Sequence, residues 1–136
     1  MIEKLYAAIA AEIKKAVPAV LKIYREDIPQ NFKTPSVLVT TISTDTVRSL
    51  AGRIRISHSF DLSYFPDSKH EPLKEIEKVK QEIFRAFDVI SAQDVSFYVK
   101  AKRFNTVDNV LHFYFEVDYK ERIEANVPKM ETLSGL

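Results

Sequence analysis

The sequence predicts an α+β fold: a single domain in which an antiparallel or mixed sheet carries two helices packed on one face. Three observations lead there. Apolar residues recur every three or four positions in two separate stretches, near 2–17 and 73–90, as in amphipathic helices. Elsewhere they alternate with polar residues at period two, as in half-buried strands. The strands fall into hairpin-like pairs with only two helices among them, which argues against a fully parallel, helix-alternating sheet.

The predicted order is α-β-β-β-α-β-β. Ile2, Leu5, Tyr6, Ile9, Ile13, Ala16 and Val17 share one helical face, with Glu3, Glu12, Lys14 and Lys15 opposite, and Pro18 ends the helix. The stretch AVLKIYRE reads as a short strand, and DIPQNFKTPS as a loop stiffened by Pro29 and Pro35. VLVTTIST is β-branched and strand-like; the polar DTVRSLAGR after it reads as a link closed by Gly52. From Arg53 to Phe65, Ile54, Ile56, His58, Phe60, Leu62 and Tyr64 take one face and Arg53, Arg55, Ser57, Ser59, Asp61 and Ser63 the other. Ser68 and Glu71 have capping-box spacing ahead of a helix carrying Leu73, Ile76, Val79, Ile83, Phe84, Phe87 and Ile90. VSFYVKAKRF and VLHFYFEVDYKER are two further strands, joined by NTVDN, whose Asn and Asp residues accept left-handed backbone. The domain is expected over residues 1–125, with a polar tail over 126–136.

Composition removes several functional classes. The chain has 136 residues and a net charge of +1, with +2 on residues 1–68 and −1 on residues 69–136, so no overall field draws it to nucleic acid or an anionic membrane. It contains no cysteine, which removes disulfides and thiolate chemistry. Its two glycines, Gly52 and Gly135, cannot build a phosphate-cradling loop. Charges interrupt the apolar residues at the N-terminus, so neither a signal peptide nor a membrane span is expected.

The densest chemical signal is DNVLHFYFEVDYKER, residues 108–122, where His112, Tyr114, Glu116 and Asp118 share one side of a strand. Same-side neighbours on a strand are about 6.6 Å apart, so His112 and Glu116 stand roughly 13 Å apart. A zinc ion needs ligands ~2 Å away, so these residues cannot close a metal site unaided. His58 falls among apolar positions and reads as a packed, satisfied histidine. No serine sits on a glycine-flanked elbow, so neither a catalytic nucleophile nor a cofactor is expected. Arg48, Arg53 and Arg55, with Lys100, Lys102 and Arg103, offer local positive charge that could meet a phosphate backbone. Solvated charges on exposed strands are the plainer reading of both clusters.

Four stretches carry a family resemblance: QNFKTPSVLV (30–39), HSFDLSYFP (58–66), DNVLHFYFEVDY (108–119) and PKMETL (128–133). Together they resemble the tail terminator family of tailed phages and prophage-like elements, in order over essentially the whole chain. Where that pattern usually has glycine, this chain has Asn31 and Asn109, and both turns are expected to survive because Asn tolerates left-handed backbone.

The resemblance implies a structural, non-enzymatic virion protein: a homo-hexameric ring that caps the head-proximal end of the tail tube, stops tube polymerisation and joins the tail to the head connector. Implied partners are the chain itself, the tail tube protein, a head connector or neck protein, and a sheath protein if the tail contracts. DNA passes only in transit through the lumen, and no membrane is involved. Assembly would occur in the host cytoplasm and the product would reside in the virion. On that reading Arg48, Leu50, Arg53 and Arg55 form a lumen- or partner-facing hairpin. His112, Tyr114, Glu116 and Asp118 form a subunit-interface strand, and Lys129, Met130 and Leu133 a partner-binding tail. Another head–tail connector or assembly adaptor is the second reading. A small nucleic-acid-binding domain or an undetected enzyme is the third.

Overall fold

The computed structural model describes residues 1–49 and 52–122. Leu50, Ala51 and the whole of the expected tail, including Lys129, Met130 and Leu133, lie outside the described residues. Two helices and six strands follow in the order α1 (Ile2–Ala16), β1 (Lys22–Tyr24), β2 (Ser36–Ser49), β3 (Arg53–Phe65), α2 (Pro72–Ala86), β4 (Val89–Ala92), β5 (Val95–Val107) and β6 (Val110–Arg122). The strands form one mixed sheet in the order β1-β2-β3-β6-β5-β4, with β1–β2 parallel and every other pairing antiparallel. This is the predicted α+β class, with one short strand added.

The added strand is β4. Ile90, expected at the end of the second helix, lies on it, because α2 stops at Ala86 and Phe87 leaves helical geometry at φ −91°, ψ 70°. Four residues are too few to show a period, so apolar Ile90 extended the helical pattern by coincidence of spacing. Two other positions of that pattern, Leu73 and Phe84, are more than half exposed. Within α2 itself Ile76, Val79 and Ile83 are buried in the core, and Ala86 packs partly against it.

Helix ends follow local chemistry. Pro18 disfavours helix at Val17, whose φ of −132° and ψ of 78° close α1. Glu3 in the first turn and Lys14 and Lys15 in the last suit the helix dipole. Pro72 begins α2, where a missing N–H costs nothing. The expected capping box is half-formed: the Glu71 N–H donates to Ser68 Oγ at 3.0 Å, but Glu71, not Ser68, is the residue that precedes the helix. The loop before α2 is instead gathered by Glu75, whose carboxylate accepts from the Tyr64 hydroxyl and from the N–H groups of Asp67 (2.9 Å) and Ser68 (2.8 Å).

The core lies between the helices and one face of the sheet. Leu5, Ile9 and Ile13 of α1 and Ile76, Val79 and Ile83 of α2 meet Phe60, Leu62 and Tyr64 of β3 and Leu111, Phe113, Phe115 and Val117 of β6. Its centre is aromatic: Phe113 stacks on Phe104 (4.7 Å between centroids) and Phe115 (4.9 Å), and Phe87 closes on it edge-first at 5.4 Å. The β5–β6 hairpin turns through Asp108 and Asn109, both with positive φ (50° and 60°), as a two-residue turn of that hand requires. The expected left-handed Asn109 is therefore present, whereas Asn31 is not among the positive-φ residues.

The segment expected as a polar link is the largest difference. Strand β2 continues through Thr44–Ser49 and pairs with β3 as far as Ser49↔Arg53, and Gly52, at φ 71°, lies in the turn. Thr44 to Arg48 are all exposed, so the alternation that marks a strand elsewhere was missing here. Polar side chains on both faces hid a strand whose backbone hydrogen bonds are complete on one side.

Candidate functional site

Among the described residues the opposite face of the sheet bears no helix, and the candidate residues divide across it. Odd positions of β3 and even positions of β6 point outward, and the register sets Ser57 against Asp118, Ser59 against Glu116, Asp61 against Tyr114 and Ser63 against His112. The predicted strand His112–Tyr114–Glu116–Asp118 thus lies next to β3, not at an edge, and its polar side chains are half-buried by their neighbours.

His112 Nδ1 stands 3.0 and 3.1 Å from the Asp61 carboxylate oxygens and 3.2 Å from Ser63 Oγ. A carboxylate only accepts, so the proton belongs on Nδ1 and His112 donates to Asp61. A serine nucleophile would have to bond the other ring nitrogen. Here Ser and Asp crowd the same atom, so the trio does not form a charge-assisted triad. The His112 ring stacks on Tyr114 (6.0 Å, 10° between planes), and the Arg103 guanidinium covers Tyr114 at 4.4 Å. Among the described residues no group of three or more His, Asp or Glu is arranged to hold a metal.

Asp118 joins two of the predicted sets. Its Oδ2 lies 2.6 Å from Lys100 Nζ and 3.3 Å from an Arg55 guanidinium nitrogen. Burial would raise this carboxyl, but hydrogen bonds from Lys100 and Ser57 and the charges of Lys100 and Arg55 outweigh it and hold it below the usual carboxylate range. Arg55 is therefore tied to β6. Arg48 is not near it. Its register partner is Ile54, which shares the helix-side face with Ile56 and His58, while Arg53 and Arg55 lie on the bare face. The three hairpin arginines do not form one patch.

Below the hairpin, His58 is 6 % exposed and fully engaged: Thr44 Oγ1 lies 2.9 Å from Nδ1 and the Tyr119 hydroxyl 2.8 Å from Nε2. Burial pushes its pKa down, keeping it neutral at neutral pH. These three residues, one from each of β2, β3 and β6, pin the arm where the helix-covered core ends.

The cavities carry no assembled chemistry. One of about 350 Å³ is lined by Tyr64, Glu75, Glu82 and Val79. There the Glu75 lone pairs are already occupied by three donors, and burial first, then Glu75, push the Tyr64 hydroxyl far above its ordinary range. Another, of about 520 Å³, crosses the bare face at Ile42, Ser43, Ser59, Lys102 and Glu116. It follows two irregularities in register, at Thr41–Ser43 of β2 and Lys100–Arg103 of β5, where Ala101 takes φ 54°. No helix among the described residues is long and apolar enough to cross a membrane.

The profile of phage tail terminator proteins matches residues 4–129 of this sequence. The chain belongs to the phage tail terminator family. No curated protein matches it. Among solved structures, a chain described as "Virion of native gene transfer agent (GTA) particle" shares the fold with a TM-score of 0.56 at 12% identity, over 88% of this chain and 96% of that one. The family match spans α2, all of α1 but its first two residues, the described sheet and every candidate residue except Met130 and Leu133. Sequence reasoning missed Asp61, Lys100 and Lys120 as neighbours of the predicted sets. The signal was present in the alternation of β3 and β6, but only the β3–β6 pairing brings Asp61 and Lys120 beside His112 and Arg55, and only the β5–β6 pairing brings Lys100 beside Asp118.

Proposed function

We propose that this protein is a structural, non-catalytic virion component that closes the head-proximal end of a phage-type tail tube as a homo-hexameric ring. It stops tube polymerisation, meets a head connector or neck protein (and the sheath where the tail contracts), and lets DNA pass through its lumen. The tail terminator match over residues 4–129 carries this reading. The neighbour named for a gene transfer agent virion, similar over nearly its full length, supports it at the level of fold.

The architecture is suited to such a ring. A ring of identical subunits needs two different patches on each copy. The sheet offers two different edges: among the described residues β2 is paired on its outer side only at Ser36–Leu38, and β5 is paired to β4 only at Val95–Tyr98. Both edges carry a bulge, and β5 adds Lys100 and Lys102, devices that prevent indiscriminate strand pairing between free copies.

Size-exclusion chromatography with light scattering tests the reading. A particle of six times the 15.7 kDa chain is expected, and adding it to polymerising tail tube protein should arrest elongation. A protein that stays monomeric at every concentration and leaves tube growth unchanged would refute it.

A further inference from the structure

We infer that the free edge of β5 at residues 103–107, together with the Phe84–Phe104 cleft beside it, receives an extended segment of a different protein in which apolar residues alternate with carboxylates. The inference goes beyond the ring reading and does not depend on it.

Near its C-terminal end α2 carries an aromatic side chain that the core leaves outside: Phe84 is 54% exposed. Its ring stands 6.5 Å from that of Phe104 on β5, and Phe104 is itself stacked on Phe113 of the core. Lys102 braces the exposed ring: its Nζ lies 4.4 Å from the Phe84 centroid, 2.6 Å from Asp88 Oδ1 and 3.3 Å from the Phe84 carbonyl oxygen. The result is an apolar cleft of about 530 Å³ lined by Lys80, Gln81, Phe84, Arg85 and Phe104. Beside it β5 has an open edge. Residues 95–98 pair with β4, and the Val99 N–H donates to the Asp88 carbonyl at 2.8 Å. Along residues 100–107 no strand lies on the outer side among the described residues. Past the bulge, residues 103–107 are regular: Phe104 and Thr106 face the helix side, Arg103 and Asn105 the bare side.

Charge decides what fits there. The lysines around the edge have carboxylates of their own: Lys80 has Glu77, Lys100 has Asp118 and Lys102 has Asp88, each at 2.6 Å. The two arginines do not. Arg103, exposed on the bare side, lies over the Tyr114 ring and has no carboxylate among the described residues. Arg85, exposed on the cleft rim in the last turn of α2, likewise has no ion pair among them. They flank the open edge, one on each face of the sheet. A strand added to that edge sends alternate side chains to the two faces. Those on the helix side meet the apolar cleft, and those on the bare side meet Arg103, whose guanidinium fork matches a carboxylate. Arg85 at the rim repels a basic segment. Main-chain hydrogen bonds to residues 103–107 would hold the guest, and the alternate side chains would select it. Another copy of this chain does not supply such a strand from its own open edge. Beyond the β2 bulge the helix-side positions are Thr44, Thr46 and Arg48, which bring no large apolar side chain and add a further cation.

The test uses the full-length protein and two labelled peptides about seven residues long, a usual strand length. One alternates Asp with Leu and Phe; the other has Lys in place of every Asp. Fluorescence anisotropy at several salt concentrations gives the affinities, with thermal unfolding and light scattering on the same samples. The Asp peptide should bind, less tightly as salt rises, and the Lys peptide should not. Phe84→Ser should weaken the Asp peptide by about tenfold. Arg103→Gln should weaken it and flatten its salt dependence. Leu21→Ser, at another exposed apolar residue away from β5, should leave it unchanged. Bound Asp peptide should also slow hydrogen exchange of amides within residues 103–107. Binding of neither peptide, equal binding of both, or equal weakening by Leu21→Ser would each overturn the assignment. Loss of the ring in a folded Phe84→Ser protein would overturn it by making the cleft a subunit contact. Tighter peptide binding in Leu133→Asp would do so by giving the cleft to the chain's own residues 123–136. A protein that never forms rings yet binds the Asp peptide through Phe84 and Arg103 would refute the ring and leave the docking edge standing.

Discussion

Strands β3 and β6 run side by side through two environments. In one, Phe60 and Leu62 of β3 and Phe113 and Phe115 of β6 are at most 1% exposed beneath two helices. In the other, Ile54, Ile56 and Tyr119 hold the same positions on the same face but stay only half-buried. Both halves have the same backbone pairing and the same alternation. The difference is what lies above them, which means that a periodic strand pattern reports a face able to be covered, not one that is covered. The core half has spent its apolar face on the helices. The arm carries no helix on either face among the described residues.

Truncations across the boundary should show the largest contrast. Phe113→Ala should cost about 3–5 kcal/mol in urea unfolding, because it empties the centre of the aromatic cluster. Ile54→Ala should cost only about 1 kcal/mol, since its site is half-solvated already. Equal losses would mean that the arm is packed as firmly as the core.

Glu75 fixes the loop at the far end of β3 from the arm, and Glu75→Gln should cost about 1–2 kcal/mol by weakening charge-assisted bonds in a partly exposed site. Burial, which would raise this carboxyl, is outweighed by the bonds from Tyr64, Asp67 and Ser68, so its folded pKa is lowered. Its contribution is therefore complete above the unfolded value of about 4.3 and is lost as pH falls through the folded one. Stability profiles of the two proteins should converge in acid; a constant gap down to pH 2, well below either value, would contradict this linkage.

His58, at the boundary itself, should give a smaller effect at milder pH. Its folded pKa is depressed by burial, so its contribution is full above about 6.5 and declines as pH falls toward the folded value. A loss of stability between pH 7 and 5, absent in His58→Gln, is the expected result. A pH-independent stability in the unaltered protein would show that His58 is not the pin between core and arm.

The smallest and most local effect is in hydrogen exchange along β2. Beyond Leu38 its amides should alternate: slow where the N–H points to β3, fast where it points to the unpaired edge. In an assembled ring the fast set should slow if that edge meets a neighbour. Uniform protection in dilute protein would mean that the edge is already covered.

The sequence by itself determined the two helices, the long strands, the buried and exposed faces of β3 and β6, and the left-handed turn at Asn109. Each is set by local period or local backbone preference, so it is written within a dozen residues. It could not show that β2 runs on through Thr44–Ser49, because a strand polar on both faces has no period to read. Nor could it show that Ile90 belongs to a strand. The site was legible only as separate lists of residues. That Arg48 faces away from Arg53 was decided by the β2–β3 register, and that Arg55 meets Asp118 and that His112 is held by Asp61 were decided by β6 pairing with β3. That pairing joins residues about fifty or more positions apart, and its register is set by the whole core beneath the helices rather than by any segment of the chain.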